Sequence, residues 1–209
     1  MVGFLPSEEY ELDFDRIRRL RRTCDLVLAV FVLFHLLNHL SLAAGSDVYL
    51  LVMSGLRSIY RERFVEPVLL LTVAAHVTAS IFLIQPRLTG FLARRDWRLI
   101  SEIYLAIFLT THVFAVLWAR LRLGLDTNLW FGAAGFHVWP WPLFFVPYYA
   151  LAVVAYAAYF GFALKRLTGL NAPLPAAVMG ATVAAAIIVL MLGMIVDVSV
   201  PEAYLKAYR

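Results

Sequence analysis

Five apolar segments, each of at least 18 residues, constrain the fold of this chain more than any other feature of its sequence. An α-helix rises about 1.5 Å per residue, so roughly 20 apolar residues cross a hydrocarbon core about 30 Å thick. The segments are Cys24–Ala43, Val65–Ile84, Ser101–Trp118, Leu143–Leu164 and Pro175–Val196. Because 63% of the residues are hydrophobic and only 15% are charged, we predict an all-α, multi-pass bundle of five transmembrane helices forming one domain over residues 1–209.

The stretch between the first two spans predicts a helix that lies on the membrane surface instead of crossing it. Residues 46–63 are too short and too charged for a span, and their apolar side chains recur at helical spacing from Tyr49 to Tyr60. An amphipathic helix over about residues 47–60 is therefore expected on the outer surface. Gly, Asn and Pro punctuate residues 124–142, which predicts a partly structured loop there.

The basic residues divide according to the side of the membrane on which they fall. Eleven lie before the first span, between the second and third spans, or after the fourth: Arg16, Arg18, Arg19, Arg21, Arg22, Arg87, Arg94, Arg95, Arg98, Lys165 and Arg166. Five lie in the opposite loops: Arg57, Arg61, Arg63, Arg120 and Arg122. Because cytoplasmic loops carry the excess of Lys and Arg, we expect a cytoplasmic N-terminus. Beyond orientation, these charges suit either contact with anionic membrane lipids or docking of a soluble partner with an acidic face, and nothing in their pattern indicates nucleic-acid binding.

Two histidines lie at matched depth in two parallel spans. His35 is eleven residues past Cys24, and His112 is eleven past Ser101, so each is roughly 16 Å into the membrane. The first and third helices of an up-down bundle are diagonal neighbours, and bundles hold cofactors between facing helices. An imidazole in hydrocarbon is costly and usually functional, and histidine is a common axial ligand of haem iron. The spacing predicts that His35 and His112 bind one haem b.

Other polar side chains of the spans are candidates for the same cofactor site. His76 lies near the middle of the second span, but the fourth span has no histidine opposite it, where Tyr156 is found. One haem is therefore expected and two are possible, with His76 as a possible ligand. His39 follows His35 by one turn and could contact a propionate, replace His35 as ligand, or meet interfacial water. The hydroxyls of Ser80 and Thr111 could hold imidazole nitrogens or propionates.

Most other kinds of catalytic chemistry have no residues to support them. The sequence contains no glycine-rich phosphate loop, no Ser/His/Asp set and no zinc-like spacing of Cys and His, and Cys24 is its only cysteine. Glu66 and Glu102 begin the second and third spans, where carboxylates are expected to complement the helix dipole. No catalytic residue is predicted, so any enzymatic role would be that of an electron-transfer subunit.

The segment from Arg18 to Leu121 resembles the single-chain, five-helix cytochrome b anchor of succinate dehydrogenases and fumarate reductases. The similar stretches are HLLNHLSLAAGSDVY from His35, EPVLLLTVAAH ending at His76, and LTTHVFAVLWARL around His112. The resemblance implies two haems, with ligands pairing helix one with three and helix two with four. His35 and His112 match one complete pair, and His76 matches half of the other. It also implies iron–sulfur and flavoprotein partners, a quinone substrate and a bacterial inner (cytoplasmic) membrane.

A second, weaker resemblance leads to a different expectation. Asn38, Tyr49, Tyr60-Arg61, Glu66 and His76 are similar to the transmembrane domain of a fungal mitochondrial outer-membrane protein linked to lipid homeostasis. The first resemblance implies a haem b-binding subunit that passes electrons between an iron–sulfur partner and the quinone pool. The second implies a stand-alone, non-enzymatic membrane adaptor or lipid-handling protein of the same architecture.

Overall fold

Helices account for all the regular secondary structure in the part of the chain that the structure describes. That structure, a computed structural model, describes residues 7–89 and 96–209, with side chains from residue 13 onward. Its helices are α1 (Ser7–Leu40), α2 (Ser46–Tyr60), α3 (Val65–Ile84), α4 (Trp97–Arg122), α5 (Leu129–His137), α6 (Pro142–Thr168), α7 (Pro173–Met191) and α8 (Glu202–Leu205). No strand is present among these residues, and the predicted all-α class is confirmed.

Five of these helices, α1, α3, α4, α6 and α7, are long and apolar enough to cross a membrane, so the chain is a multi-pass membrane protein. The second predicted span has the bounds of α3, whereas α1 begins at Ser7, well before Cys24. Hydropathy detects only the apolar part of a helix, and the charged residues that precede it also favour helix. The last span ends at Met191, because Gly193 adopts a positive φ of 71° just beyond it.

Four of the spans form a ring, with α1 beside α3, α3 beside α4, and α4 beside α6. This order places α1 diagonally opposite α4, as expected for the first and third spans. The fifth span, α7, packs mainly against α6 and also contacts α1. Glycines permit that close approach, since a Cβ added at Gly180 would lie 2.6 Å from the Cβ of Ala157.

The outer end of the bundle is covered by short helices that do not span. The predicted surface helix is present as α2, whose Tyr49 and Met53 are buried. The predicted loop over residues 124–142 contains α5, which begins where the Asn128 side chain accepts a hydrogen bond from the Trp130 amide at 2.9 Å. Leu129 on α5 is fully buried in the same apolar cluster as α2. This cover closes one end of the ring.

Candidate functional site

A cavity of about 1090 Å³ lies inside the ring of α1, α3, α4 and α6. Its volume is at the upper end of the range of cofactor and ligand pockets, which is roughly 300–1,000 Å³. Apolar and aromatic side chains form most of its wall, and arginines line both of its ends. Four of the five histidines border it: His35, His39, His76 and His112. The intramembrane imidazoles therefore face a shared internal space rather than lipid.

His35 and His112 approach each other across this space from diagonally opposite helices. Their ring centres are 6.2 Å apart, and the ring planes are inclined by 70°. Each ring is stacked on an aromatic side chain one turn earlier in its own helix, His35 on Phe31 and His112 on Phe108. The Tyr149 ring packs edge-on against His112. Aromatic packing on both sides thus restricts the orientation of the two imidazoles.

The separation of these two rings fits one metal centre held between them. Two imidazoles that bind a metal from opposite sides, each through a bond of about 2 Å, have ring centres roughly 6 Å apart. Within residues 7–89 and 96–209, no group of three or more His, Cys, Asp and Glu side chains could hold a bare metal ion. A haem requires only two axial ligands from the protein, because the macrocycle supplies the other four nitrogens. The donor set therefore fits haem better than a bare ion.

His39 lies beside His35, and its ring contacts protein side chains rather than only interfacial water. Its Nε2 lies 3.2 Å from Nε2 of His35, and its Nδ1 lies 3.4 Å from the Tyr49 hydroxyl. Burial raises the pKa of Tyr49, so this hydroxyl stays protonated and can donate a hydrogen bond to His39. A chain of three polar groups results, ending at the nitrogen that His35 would use to bind iron. The His39 ring must turn away before His35 can act as a ligand.

His76 lies in a different part of the cavity, next to a carboxylate of α1. Its Nδ1 is 3.1 Å from Oδ1 of Asp25, but the angle is not that of a hydrogen bond, and this nitrogen has no hydrogen-bond partner. The Tyr159 hydroxyl donates to the other oxygen of Asp25 at 2.9 Å. Tyr156, which the sequence places opposite His76, donates instead to the Ala29 carbonyl at 3.3 Å.

Near the inner end, a buried carboxylate joins α1 and α4 to the turn that follows α3. Glu102 accepts hydrogen bonds from Arg21 at 3.1 Å, from Arg87 at 2.6 Å and from Arg98 at 3.0 Å. The expectation that Glu102 complements the dipole of its helix is wrong, because α4 begins at Trp97 and Glu102 lies beyond its first turn, where the buried charge is paired with arginines. Three of the arginines that the charge pattern assigns to the cytoplasmic side are thus engaged within the protein. Arg94 and Arg95, of the same set, lie outside the described residues.

Ion pairs also join the elements at the outer end. Glu66 binds Arg120 through both carboxylate oxygens, one of them at 3.3 Å, so it does more than complement a dipole. Asp126, in the loop before α5, accepts from Arg57 of α2 at 2.9 Å and lies 3.4 Å from Arg61. Partial burial opposes ionisation of Asp126, but the two guanidinium groups outweigh it and lower its pKa. These pairs hold α2 and the loop over the cavity.

The two hydroxyl residues predicted for the site have different positions. Ser80 is buried and lines the cavity one turn from His76. Thr111 is exposed and does not line the cavity, and its hydroxyl bonds to the carbonyls of Ile107 and Phe108 and to the Tyr148 hydroxyl. The structure therefore brings Ser80 to the cavity but not Thr111.

Sequence reasoning missed Asp25, Tyr159 and Tyr149 as residues of the cavity. Asp25 had a detectable signal, since an acid inside an otherwise apolar span is rare and usually functional. The tyrosines had none, because the fourth span contains four tyrosines and periodicity does not show which of them face inward.

The residues that line the cavity are the basis for assigning a function to this chain. The chain matches no protein-family model, no curated protein and no solved structure.

Proposed function

We propose that this protein binds one haem b between His35 and His112 and passes electrons between an iron–sulfur partner and the membrane quinone pool. The observation that supports the proposal is the 6.2 Å separation of the two imidazoles across an internal cavity. In this proposal the protein is a succinate dehydrogenase- or fumarate reductase-like anchor in the bacterial cytoplasmic membrane. Its N-terminus and the arginine-rich end of the ring face the cytoplasm.

Each part of the site would have a separate task. The bound haem supplies a one-electron carrier inside the membrane. His35 and His112 would hold it, while Phe31 and Phe108 keep their rings in position. The Tyr49–His39 chain occupies Nε2 of His35 in this structure, so His39 would turn away when His35 binds iron and would then lie beside the cofactor. Apolar walls exclude water and so favour a low local dielectric around the cofactor.

An optical spectrum of the purified protein tests the proposal. The reduced-minus-oxidised difference spectrum should contain a b-type band, and His35→Ala or His112→Ala should each abolish it. His137→Ala is the matched control, since His137 does not border the cavity and instead bonds to the Met191 carbonyl. If both ligand variants keep the wild-type band, the assignment of His35 and His112 is wrong.

The flavoprotein and iron–sulfur subunits are tested by purification from native membranes in mild detergent at low salt. Co-purification of a flavin-containing and an iron–sulfur-containing subunit is the expected result. A chain that lacks haem and always purifies alone would instead match the stand-alone membrane adaptor or lipid-handling protein.

A further inference from the structure

His76, Asp25 and Tyr159 form a second polar site in the cavity, which we name the inner polar cluster. The three side chains come from α3, α1 and α6, and all of them line the cavity. Asp25 precedes His35 by ten residues, or about 15 Å along α1. The cluster is therefore separate from the His35–His112 pair and lies nearer the inner end of the bundle.

The hydrogen bonds within the cluster leave the His76 imidazole without a hydrogen-bond partner. Asp25 Oδ2 accepts from the Tyr159 hydroxyl at 2.9 Å, and this hydroxyl itself accepts from Arg21 at 2.8 Å. His76 makes no hydrogen bond with any residue in the described part of the chain, although its buried Nδ1 lies 3.1 Å from Asp25. An unsatisfied polar group at this depth costs free energy unless a ligand completes it.

The surroundings of the cluster suit an apolar ring. Leu28 and Ala29 on α1 and Val73 on α3, each within about one turn of the cluster, border the same cavity. The helices α1 and α6 do not pack closely against each other. They are joined chiefly by side chains, including the hydrogen bond from the Tyr156 hydroxyl to the Ala29 carbonyl. A flat molecule dissolved in the bilayer could therefore reach the cluster laterally.

We propose that the inner polar cluster binds the oxygen-bearing ring of a quinone or quinol, with His76 as the hydrogen-bond partner of one ring oxygen. This inference rests on the proposed function, whose quinone site it locates. An imidazole beside a carboxylate can either donate or accept a hydrogen bond. That versatility matches a ligand whose ring oxygen is a carbonyl in one redox form and a hydroxyl in the other. Asp25 orients the imidazole, and Tyr159 and Arg21 hold Asp25 in place.

This assignment gives His76 a role other than haem ligation. An axial ligand on α3 would need a second ligand across the cavity, and its near neighbours are instead an aspartate and a tyrosine that bond to each other. Asp25 already interacts with the phenol of Tyr159 and the guanidinium of Arg21. A carboxylate held in this way is suited to orienting an imidazole. The cluster therefore fits an exchangeable ligand better than a second macrocycle.

Titration of the purified, detergent-solubilised protein with a short-tailed ubiquinone and a short-tailed menaquinone, followed by calorimetry, tests the site. We expect His76→Leu to weaken binding of the preferred quinone at least about tenfold, as expected when a ring oxygen loses its hydrogen-bond partner. Asp25→Asn should weaken it less, because an amide can still contact the imidazole. Tyr148→Phe is the matched control, since it removes a hydroxyl of α6 that bonds to Thr111 and does not border the cavity, and its affinity should stay within about twofold of wild type.

The haem spectrum, recorded on each variant, separates this inference from the proposed function. If His76→Leu and Asp25→Asn keep both the b-type band and wild-type quinone affinity, or if the wild-type protein binds neither quinone, the inference is overturned. A loss of the b-type band in His76→Leu also overturns it, because His76 would then be a haem ligand. If wild type has no b-type band but His76→Leu loses quinone binding, the quinone site stands and the haem assignment falls. Gel filtration and thermal unfolding establish that each variant is folded, and Asp25→Asn keeps the test valid if His76→Leu does not fold.

Discussion

At the scale of single residues, the imidazoles of the cavity differ in what they contact. His35 and His112 face each other across the cavity, whereas His39 is hydrogen-bonded to His35 and to the surface helix through Tyr49. The three possible roles of His39 that the sequence leaves open can now be ordered. Its position beside His35, with Nδ1 close to the Tyr49 hydroxyl, favours contact with a propionate over direct ligation.

We therefore expect His39→Ala to retain haem at the wild-type ratio of haem to protein, because it leaves both proposed ligands in place. Its Soret band should shift or broaden slightly, since a polar imidazole beside the cofactor is replaced by a methyl group. The measurement is the absorbance spectrum normalised to protein concentration. Complete loss of haem in this variant, with the fold intact, would identify His39 as the axial ligand.

At the scale of secondary-structure elements, charged side chains join helices that would otherwise be held by apolar packing alone. Glu102 on α4 binds Arg21 on α1 and Arg87 just beyond α3. Buried charges contribute little net stability as a set, but removal of one member leaves the others without compensation.

Glu102→Ala should therefore lower the free energy of unfolding by about 3–5 kcal/mol, because it leaves buried Arg21 without its carboxylate. Thermal unfolding in detergent, compared with the wild-type melting temperature, measures the effect. Glu202→Ala is the matched control: this carboxylate is half-exposed and paired with Arg209, and such surface pairs contribute about 0–1 kcal/mol. Equal melting temperatures for the two variants would contradict a structural role for Glu102.

At the scale of the whole molecule, the ring of four spans encloses one cavity with two chemically different regions. The region of His35 and His112 has two facing imidazoles, whereas the region of His76 has one imidazole, a carboxylate and a phenol. The fifth span packs mainly against α6, and its Ile187, Ile188 and Met191 also line the cavity. The described part of the chain therefore offers one pair of imidazoles that face each other across the cavity.

We expect one haem per chain, since His76 has Asp25 and Tyr159 rather than a second histidine beside it. A pyridine haemochrome assay combined with quantitative amino-acid analysis gives the ratio. Two haems per chain would contradict the prediction and would restore the second ligand pair that the resemblance to the cytochrome b anchors implies.

If the arginine-rich end of the ring docks the iron–sulfur partner, it must do so with arginines that the protein does not already engage. Arg21, Arg87 and Arg98 bind Glu102, while Arg19 and Arg22 on α1 are exposed. Replacing both exposed arginines with Glu should release the soluble partner from membranes and leave the b-type band unchanged. Arg122→Glu, at the opposite end of the bundle, is the control. Retention of the partner by the double variant would show that this face does not dock it, since anionic lipid also attracts exposed arginines.

The sequence by itself determined the class of this protein and the positions of its spanning helices. The reason is that hydrocarbon imposes the same requirement on every segment, so length and apolarity suffice to identify a span. It also indicated that His35 and His112 lie at similar depth, because helical rise converts residue number into distance. The surface helix was predictable because its apolar side chains follow the helical period.

Only the tertiary structure decided which side chains meet inside the bundle. In a span that is apolar all round, hydropathy does not show how the helix is rotated about its own axis. The contacts of His76 with Asp25 and of Glu102 with three arginines therefore could not be predicted from residue spacing. The same holds for Thr111, whose position next to His112 in the chain places it on a different face of α4. Pairing between distant residues depends on how the helices pack, and that packing is a property of the whole ring.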